Sequence, residues 1–83
     1  DYMAVHVIES LKERGFSIPG DVAVIGTGNT RFATIIEPHM TTVDIHNQDV
    51  GRTAADLLLK LIHGEQAATV IKTDIKLIKR DST

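Results

Sequence analysis

The loop Gly26-Thr27-Gly28-Asn29-Thr30 holds the residues of this chain best suited to binding chemistry. It follows the apolar run Val22-Ala23-Val24-Ile25 without a transition. The Asn29 amide both donates and accepts, and Gly28 lets the backbone come close to a ligand. Gly and Asn also make turns unaided, so a purely structural turn is the competing reading of the same residues. The spacing Gly26-x-Gly28 invites a dinucleotide site, but that fingerprint needs a third glycine where Arg31 stands, and there is no P-loop. His6, His39, His46 and His63 show no metal-ligand pairing on one helix face. Asp44-x-His46 is a close carboxylate–imidazole pair, and a solvated strand end accounts for it without a metal. No Ser or Thr has a His base beside it in sequence, and no pair of carboxylates is arranged for acid–base work. Catalytic residues, metal ligands and a cofactor are therefore not expected, and the chain reads as a binding module rather than an enzyme.

Such a loop has to be carried by regular elements, and the pattern around it names them. Residues 2–14 have helical periodicity, with Met3, Val7, Ile8 and Leu11 in one apolar stripe and Gly15 as the stop. A flanking stripe of Tyr2, Val5, His6 and Glu9 suits a second neighbour, which can be another subunit. Ile18-Pro19-Gly20 turns the chain into Val22–Ile25, whose unbroken apolar character predicts a central parallel strand covered on both faces. Residues 31–36 allow one or two helical turns, ended by Pro38. Met40 to Ile45 reads as a short strand. The clearest helix spans residues 48–63, with Val50, Ala54, Leu57, Leu58, Leu61 and Ile62 on one stripe, Asn47 as N-cap and Gly64 as the close. That stripe predicts a sheet beneath it, and Leu57-Leu58-Leu59 is read as core. Ala68–Lys72 and Asp74–Lys79 look like two short strands with a kink at Thr73-Asp74. Lys76, Lys79 and Arg80 read as a solvated strand edge, and residues 80–83 as a polar tail. Helix, Pro-Gly turn, strand and polar loop make one repeat of an open α/β sheet, in which ligands sit beyond the carboxyl ends of the strands.

The bulk composition narrows the function classes. The 83 residues are 42% hydrophobic and 24% charged, ordinary values for a globular chain, though short for a domain. A net charge of -2 leaves no electrostatic footprint for nucleic acid or an anionic membrane. The absence of cysteine rules out a disulfide framework and fits the cytoplasm. No apolar run approaches the ~20 residues of a membrane span, and no signal peptide is visible. The chain opens at Asp1-Tyr2-Met3 and turns helical almost at once, so a preceding segment is expected.

In order along the chain stand Asp1-Tyr2-Met3-Ala4, the run from Gly15 to Gly26, Pro38, Thr41-Thr42-Val43 and Gly51. They are followed by the helix from Ala54 to Ile62 with Gly64 and Glu65, and the closing Lys79-Arg80-Asp81-Ser82-Thr83. Together these resemble the late part of the effector domain of LacI/GalR-family transcription regulators, over essentially all 83 residues. The resemblance implies a fragment of a type I periplasmic-binding-protein-like fold, α/β, with parallel strands flanked by helices and two subdomains around a cleft. Residues 1–42 would belong to the C-terminal subdomain and 43–73 to the N-terminal subdomain. Residues 74–83 would form the final crossover strand and tail, with hinges at Thr41–Asp44 and Thr73-Asp74.

The resemblance also implies a site. In such regulators an Asn-Asp pair opens the first helix, and an acidic or amide pair follows the glycine of the central strand; both bind sugar or purine ligands. Asp1 matches the second residue of the first pair, and is equally an N-cap. Gly28-Asn29 occupies the second pair, whose first residue is commonly Asp, so a carboxylate acceptor is missing here. Asp1, Gly28, Asn29 and Asn47 are the expected ligand-binding residues, with a sugar as the expected effector. Tyr2, Val5, His6, Ile35 and Ile36 are expected at a two-fold interface of a homodimer. Operator DNA would be met only through a domain absent from this chain, with no membrane contact and a cytoplasmic location. The alternative is a periplasmic sugar-binding protein of a transporter, which shares the fold.

Overall fold

Two glycines with left-handed backbone, Gly15 at φ +85° and Gly64 at φ +74°, end the two long helices in the same manner. At the first, Phe16 N–H donates to the Leu11 carbonyl and Gly15 N–H to that of Lys12, both at 3.0 Å; at the second, Glu65 N–H reaches Lys60 and Gly64 N–H reaches Leu61. These Schellman closures satisfy carbonyls that a helix end otherwise leaves open. The computed structural model describes all 83 residues, with the elements α1 (Tyr2–Glu13), β1 (Ile25–Thr27), α2 (Phe32–Ile35), β2 (Thr41–Asp44), α3 (Asn47–Ile62) and β3 (Lys76–Ile78). The strands form one sheet in the order β1-β2-β3. β1 lies parallel to β2 with Ile25 opposite Thr41, and β3 returns antiparallel to β2 with Val43 opposite Leu77. The architecture is α/β as expected, with an antiparallel edge added to the parallel pair.

The core lies between α1, α2 and the sheet. Ile8, Val24, Ala33 and Met40 are buried together, and Ala4, Val5, Leu11, Ile18, Val22 and Ile36 pack around them. The inward face of α1 is therefore Ala4, Val5, Ile8 and Leu11, rotated from the predicted stripe. Met3 and Val7 are exposed instead, along a groove beside β1. The Pro-Gly turn is closed from within: Ser17 N–H and hydroxyl both donate to the Asp21 carboxylate, at 2.8 and 3.1 Å. The backbone bond from Ser17 holds the Asp21 carboxyl below its ordinary pKa of 3.8.

Several expectations need correction. The strand expected at Val22–Ile25 is displaced to Ile25–Thr27, because Val22 N–H turns back to Ser17 and Val24 pairs with Ser82 rather than with a strand. Nor is it covered on both faces, since Ile25 is exposed. Ala68–Lys72 has no strand, and the strand expected at Asp74–Lys79 shortens to Lys76–Ile78. The N-cap of α3 is His46, with Asn47 already the first helical residue. No residue of α3 is buried, so the sheet expected beneath its stripe is not supplied by these residues, and Leu58 and Leu59 are exposed rather than core.

Within the polar tail at residues 80–83, Arg80 and Ser82 turn inward. Asp81 and Ser82 N–H both donate to the His39 carbonyl, and Ser82 is fully buried. Arg80 leaves the solvated edge that Lys76 and Lys79 keep, and turns inward to the Met40 carbonyl at 3.0 Å.

Candidate functional site

β1 ends at Thr27 and β2 at Asp44, side by side because the two strands run parallel. Whatever follows them is therefore brought to one end of the sheet. After β1 come Gly28 and Asn29; after β2 come His46 and the first turn of α3. A cleft of about 270 Å³ opens between them, lined by Gly28, Asn29, Asp44, His46, Asn47, Gln48 and Asp49 with no apolar side chain.

Both walls of this cleft have unusual backbone. Gly28 has φ +123°, and Asn29 and His46 are left-handed at φ +49° and +54°. For a residue other than glycine the left-handed region costs roughly 1–2 kcal/mol, less for Asn, so surrounding bonds must hold it. Those bonds are present. Asn29 N–H donates to Thr42 Oγ1 at 3.2 Å, its Nδ2 donates to Asp44 Oδ2 at 3.2 Å, and its Oδ1 accepts from the Arg80 guanidinium at 2.9 Å. His46 N–H donates to Asp44 Oδ1 at 2.8 Å, and Asn47 Nδ2 reaches the Gly28 carbonyl at 3.3 Å across the cleft. Asn29 keeps one amide hydrogen and one lone pair free, a donor and an acceptor for a ligand.

The His46 backbone bond, then the Asn29 amide, hold the Asp44 carboxyl below its ordinary pKa of 3.8, with the His46 and Lys76 charges adding to the effect. Asp44 is thus ionised at neutral pH. Because the folded pKa is the lower one, its contribution to stability is whole above pH 3.8 and is lost as the pH falls through the depressed folded value.

Of the predicted ligand-binding residues, Gly28, Asn29 and Asn47 meet at the cleft, and Asp1 does not. Its carboxylate sits behind the loop, where Oδ2 accepts from Thr30 N–H at 2.6 Å and from the Thr30 hydroxyl at 2.9 Å, while Oδ1 accepts from Thr42 Oγ1 at 2.6 Å. Asp1 occupies the N-cap position of α1 but makes no side-chain cap bond. It braces the loop. Gly26 is needed for that brace, because a Cβ there would stand 2.6 Å from Asp1 Oδ1 and 2.9 Å from the Met40 methyl. Sequence reasoning missed Arg80 and Asp44 at this end of the sheet. In the sequence Arg80 looks like edge charge, and Asp44 like the end of a strand and hinge close to His46. The missing signal for Asp44 was the pairing of its strand with β1, which the spacing of residues alone does not give.

The predicted interface residues also gather. Tyr2 stacks edge-on with His6 at 4.8 Å and with Phe32 at 6.0 Å between ring centroids. Val5, Ile35 and Ile36 line a shallow cleft with Glu9 and Phe32. Val5 and Ile36 also pack on the core, whereas Tyr2 and Ile35 are each 67% exposed. Phe32 joins this face without having been anticipated.

Residues 1–83 match the family described as periplasmic binding protein-like domain. The chain is 32% identical, over its whole length, to the HTH-type transcriptional regulator GalR of Streptococcus thermophilus, and spans 25% of that relative. A periplasmic binding protein/LacI transcriptional regulator from Alkaliphilus metalliredigens QYMF, solved with D-xylulofuranose, superimposes with a TM-score of 0.92 at 34% identity, covering 100% of this chain and 32% of that one. The lac repressor dimer bound to operator and an anti-inducer superimposes with a TM-score of 0.88 at 28% identity, covering 100% and 29%.

Proposed function

Since the chain belongs to the periplasmic binding protein-like domain family, as carried by LacI/GalR-type transcription regulators, we propose that it binds a sugar effector and dimerises as part of such a regulator. The observation that carries this is the polar cleft at the carboxyl ends of β1 and β2, with Asn29 fixed at both ends of its amide yet keeping a donor and an acceptor free. A sugar hydroxyl needs that combination. Gly28, Asn29 and Asn47 contact the effector, and Asp1 serves it by bracing the loop. A structural relative solved with a furanose sugar supports the ligand class. The matched relatives are transcription regulators, which favours this role over a transporter's periplasmic binding protein and over an enzyme.

In this proposal residues 1–42 sit in one subdomain, 43–73 in the other, and 74–83 return to the first. Thr41–Asp44 and Thr73-Asp74 are the hinges. An effector shifts the relative orientation of the subdomains only by its difference in affinity for the two states. Tyr2, Val5, His6, Ile35 and Ile36 meet their copies in a homodimer, and operator DNA is contacted by a segment outside these 83 residues, in the cytoplasm. No helix here is long and apolar enough to cross a membrane.

The test is calorimetric titration of the full-length protein carrying this chain with D-xylulose, D-ribose, D-galactose and lactose. At least one sugar should bind, and Asn29→Ala should weaken it by ~0.5–1.5 kcal/mol per lost hydrogen bond. The variant should also lose stability, because Ala takes over a left-handed position and the Asp44 and Arg80 bonds go, so affinity is compared where a thermal unfolding scan shows both proteins folded. Unchanged affinity in the variant would reduce the loop to a turn.

A further inference from the structure

Gly28 brings no side chain to the cleft, yet the cleft has a carboxylate. Asp44 lines it from the opposite wall, at the last residue of β2. Its Oδ2 is 3.2 Å from Asn29 Nδ2 and its Oδ1 is 2.8 Å from His46 N–H. An ionised carboxylate has about four lone-pair sites, and these two bonds take two of them. The side chain remains 23% exposed, so the other sites face the cleft. Gly28 places no side chain in that space.

We propose that Asp44 is the carboxylate that reads a sugar hydroxyl in this cleft, supplied from β2 in the space left open by Gly28. The proposal rests on the reading of the cleft as a sugar site. The role follows from three features together. Asp44 is held rigidly by donors on both cleft walls, Asn29 and His46. It has spare acceptor capacity, and a hydrogen bond from a hydroxyl to an ionised acceptor is the strong kind. It also stands beside the one free donor and acceptor of Asn29, so a carboxylate and an amide can share adjacent hydroxyls of one sugar ring. Asp44 is thereby a specificity-determining contact, and the same residue ties the loop after β1 to the entrance of α3.

The test uses the full-length protein that carries this chain, the four sugars named above, and the singly deoxygenated analogues of whichever binds. Wild type is expected to reject at least one deoxy analogue. Asp44→Asn, which keeps the shape and loses the charge, is expected to bind the parent sugar on the order of 10- to 100-fold more weakly. It is also expected to lose discrimination against one deoxy analogue while keeping it against the others, a pattern that general loosening of the site would not give. A thermal unfolding scan reports whether the variant is folded. If it is not, Asp44→Glu is read in the same way and is expected to shift the preference among analogues. Wild-type affinity and discrimination in either folded variant would overturn the proposal and leave the sugar site standing. Failure of wild type to bind any of the four sugars would overturn both.

Discussion

Ser82 is a single hydroxyl that joins three segments. Fully buried, it accepts from Thr41 N–H at 2.8 Å and donates to the Val24 carbonyl at 2.6 Å, linking residues 58 positions apart. Thr41 adds to the same knot, accepting from Arg80 N–H at 2.8 Å and sharing a hydrogen with the Thr83 hydroxyl at 2.8 Å. Removing the Ser82 oxygen leaves a buried donor and a buried acceptor unpaired in the dry interior. Ser82→Ala in the full-length protein is therefore expected to cost about 1–3 kcal/mol in urea denaturation, despite being a change of one atom. Nothing in Arg80-Asp81-Ser82-Thr83 foretells this from sequence, because polar residues at a chain end look like solvent-facing residues until their partners are known. The loop at Gly28-Asn29 was legible for the opposite reason: its glycines and amide advertise special backbone and hydrogen bonding without any distant partner.

Helices and strands differed in how much their own residues disclosed. α1 and α3 are readable to within a residue or two, since periodic apolar positions and a closing glycine are local signals. β1 slid by three residues from its expected start because its register is set by β2 and by Ser82, both remote. β3 was half legible, and Ala68–Lys72 has the composition of a strand but no neighbour to pair with among these residues. His46 shows the same limit at a helix start. Asn47 is the better capping residue by type, yet the chain places His46 there in left-handed backbone, with no side-chain cap bond. A glycine would adopt that geometry freely, at some cost in unfolded-state entropy. His46→Gly is expected to raise stability by about 0.5–1 kcal/mol, read as the denaturation midpoint. Destabilisation instead would mean that the imidazole contributes more than its backbone strain costs.

The whole chain is long and thin, 57 × 18 × 18 Å, with a radius of gyration of 17.3 Å. A compact chain of this length would have about 12 Å. The excess comes from α3 and the segment after it, where Leu61 and Ile62 remain 61% and 66% exposed. Burying each such side chain is worth ~1.5–3 kcal/mol, so this face calls for further polypeptide against it. The face of Tyr2 and Ile35 is a separate matter, because α1 already has its core. Tyr2→Asp with Ile35→Asp in the full-length protein is expected to give folded monomers in sedimentation, since a charge would be buried unpaired in the proposed dimer. These two are chosen over Val5 and Ile36, whose side chains also support the core. An undisturbed dimer would place the interface elsewhere. The antiparallel pairing of β2 with β3 has a consequence in time. Roughly 30 residues separate Asp44 from its partner Lys76, and a ribosome adding ~5–20 residues per second needs about 2–6 s to make them. Throughout that interval the nascent β2 presents an open edge. Its residues are Thr41, Thr42, Val43 and Asp44, and of these only the charge of Asp44 disfavours pairing with neighbouring chains until the last strand arrives to close the edge.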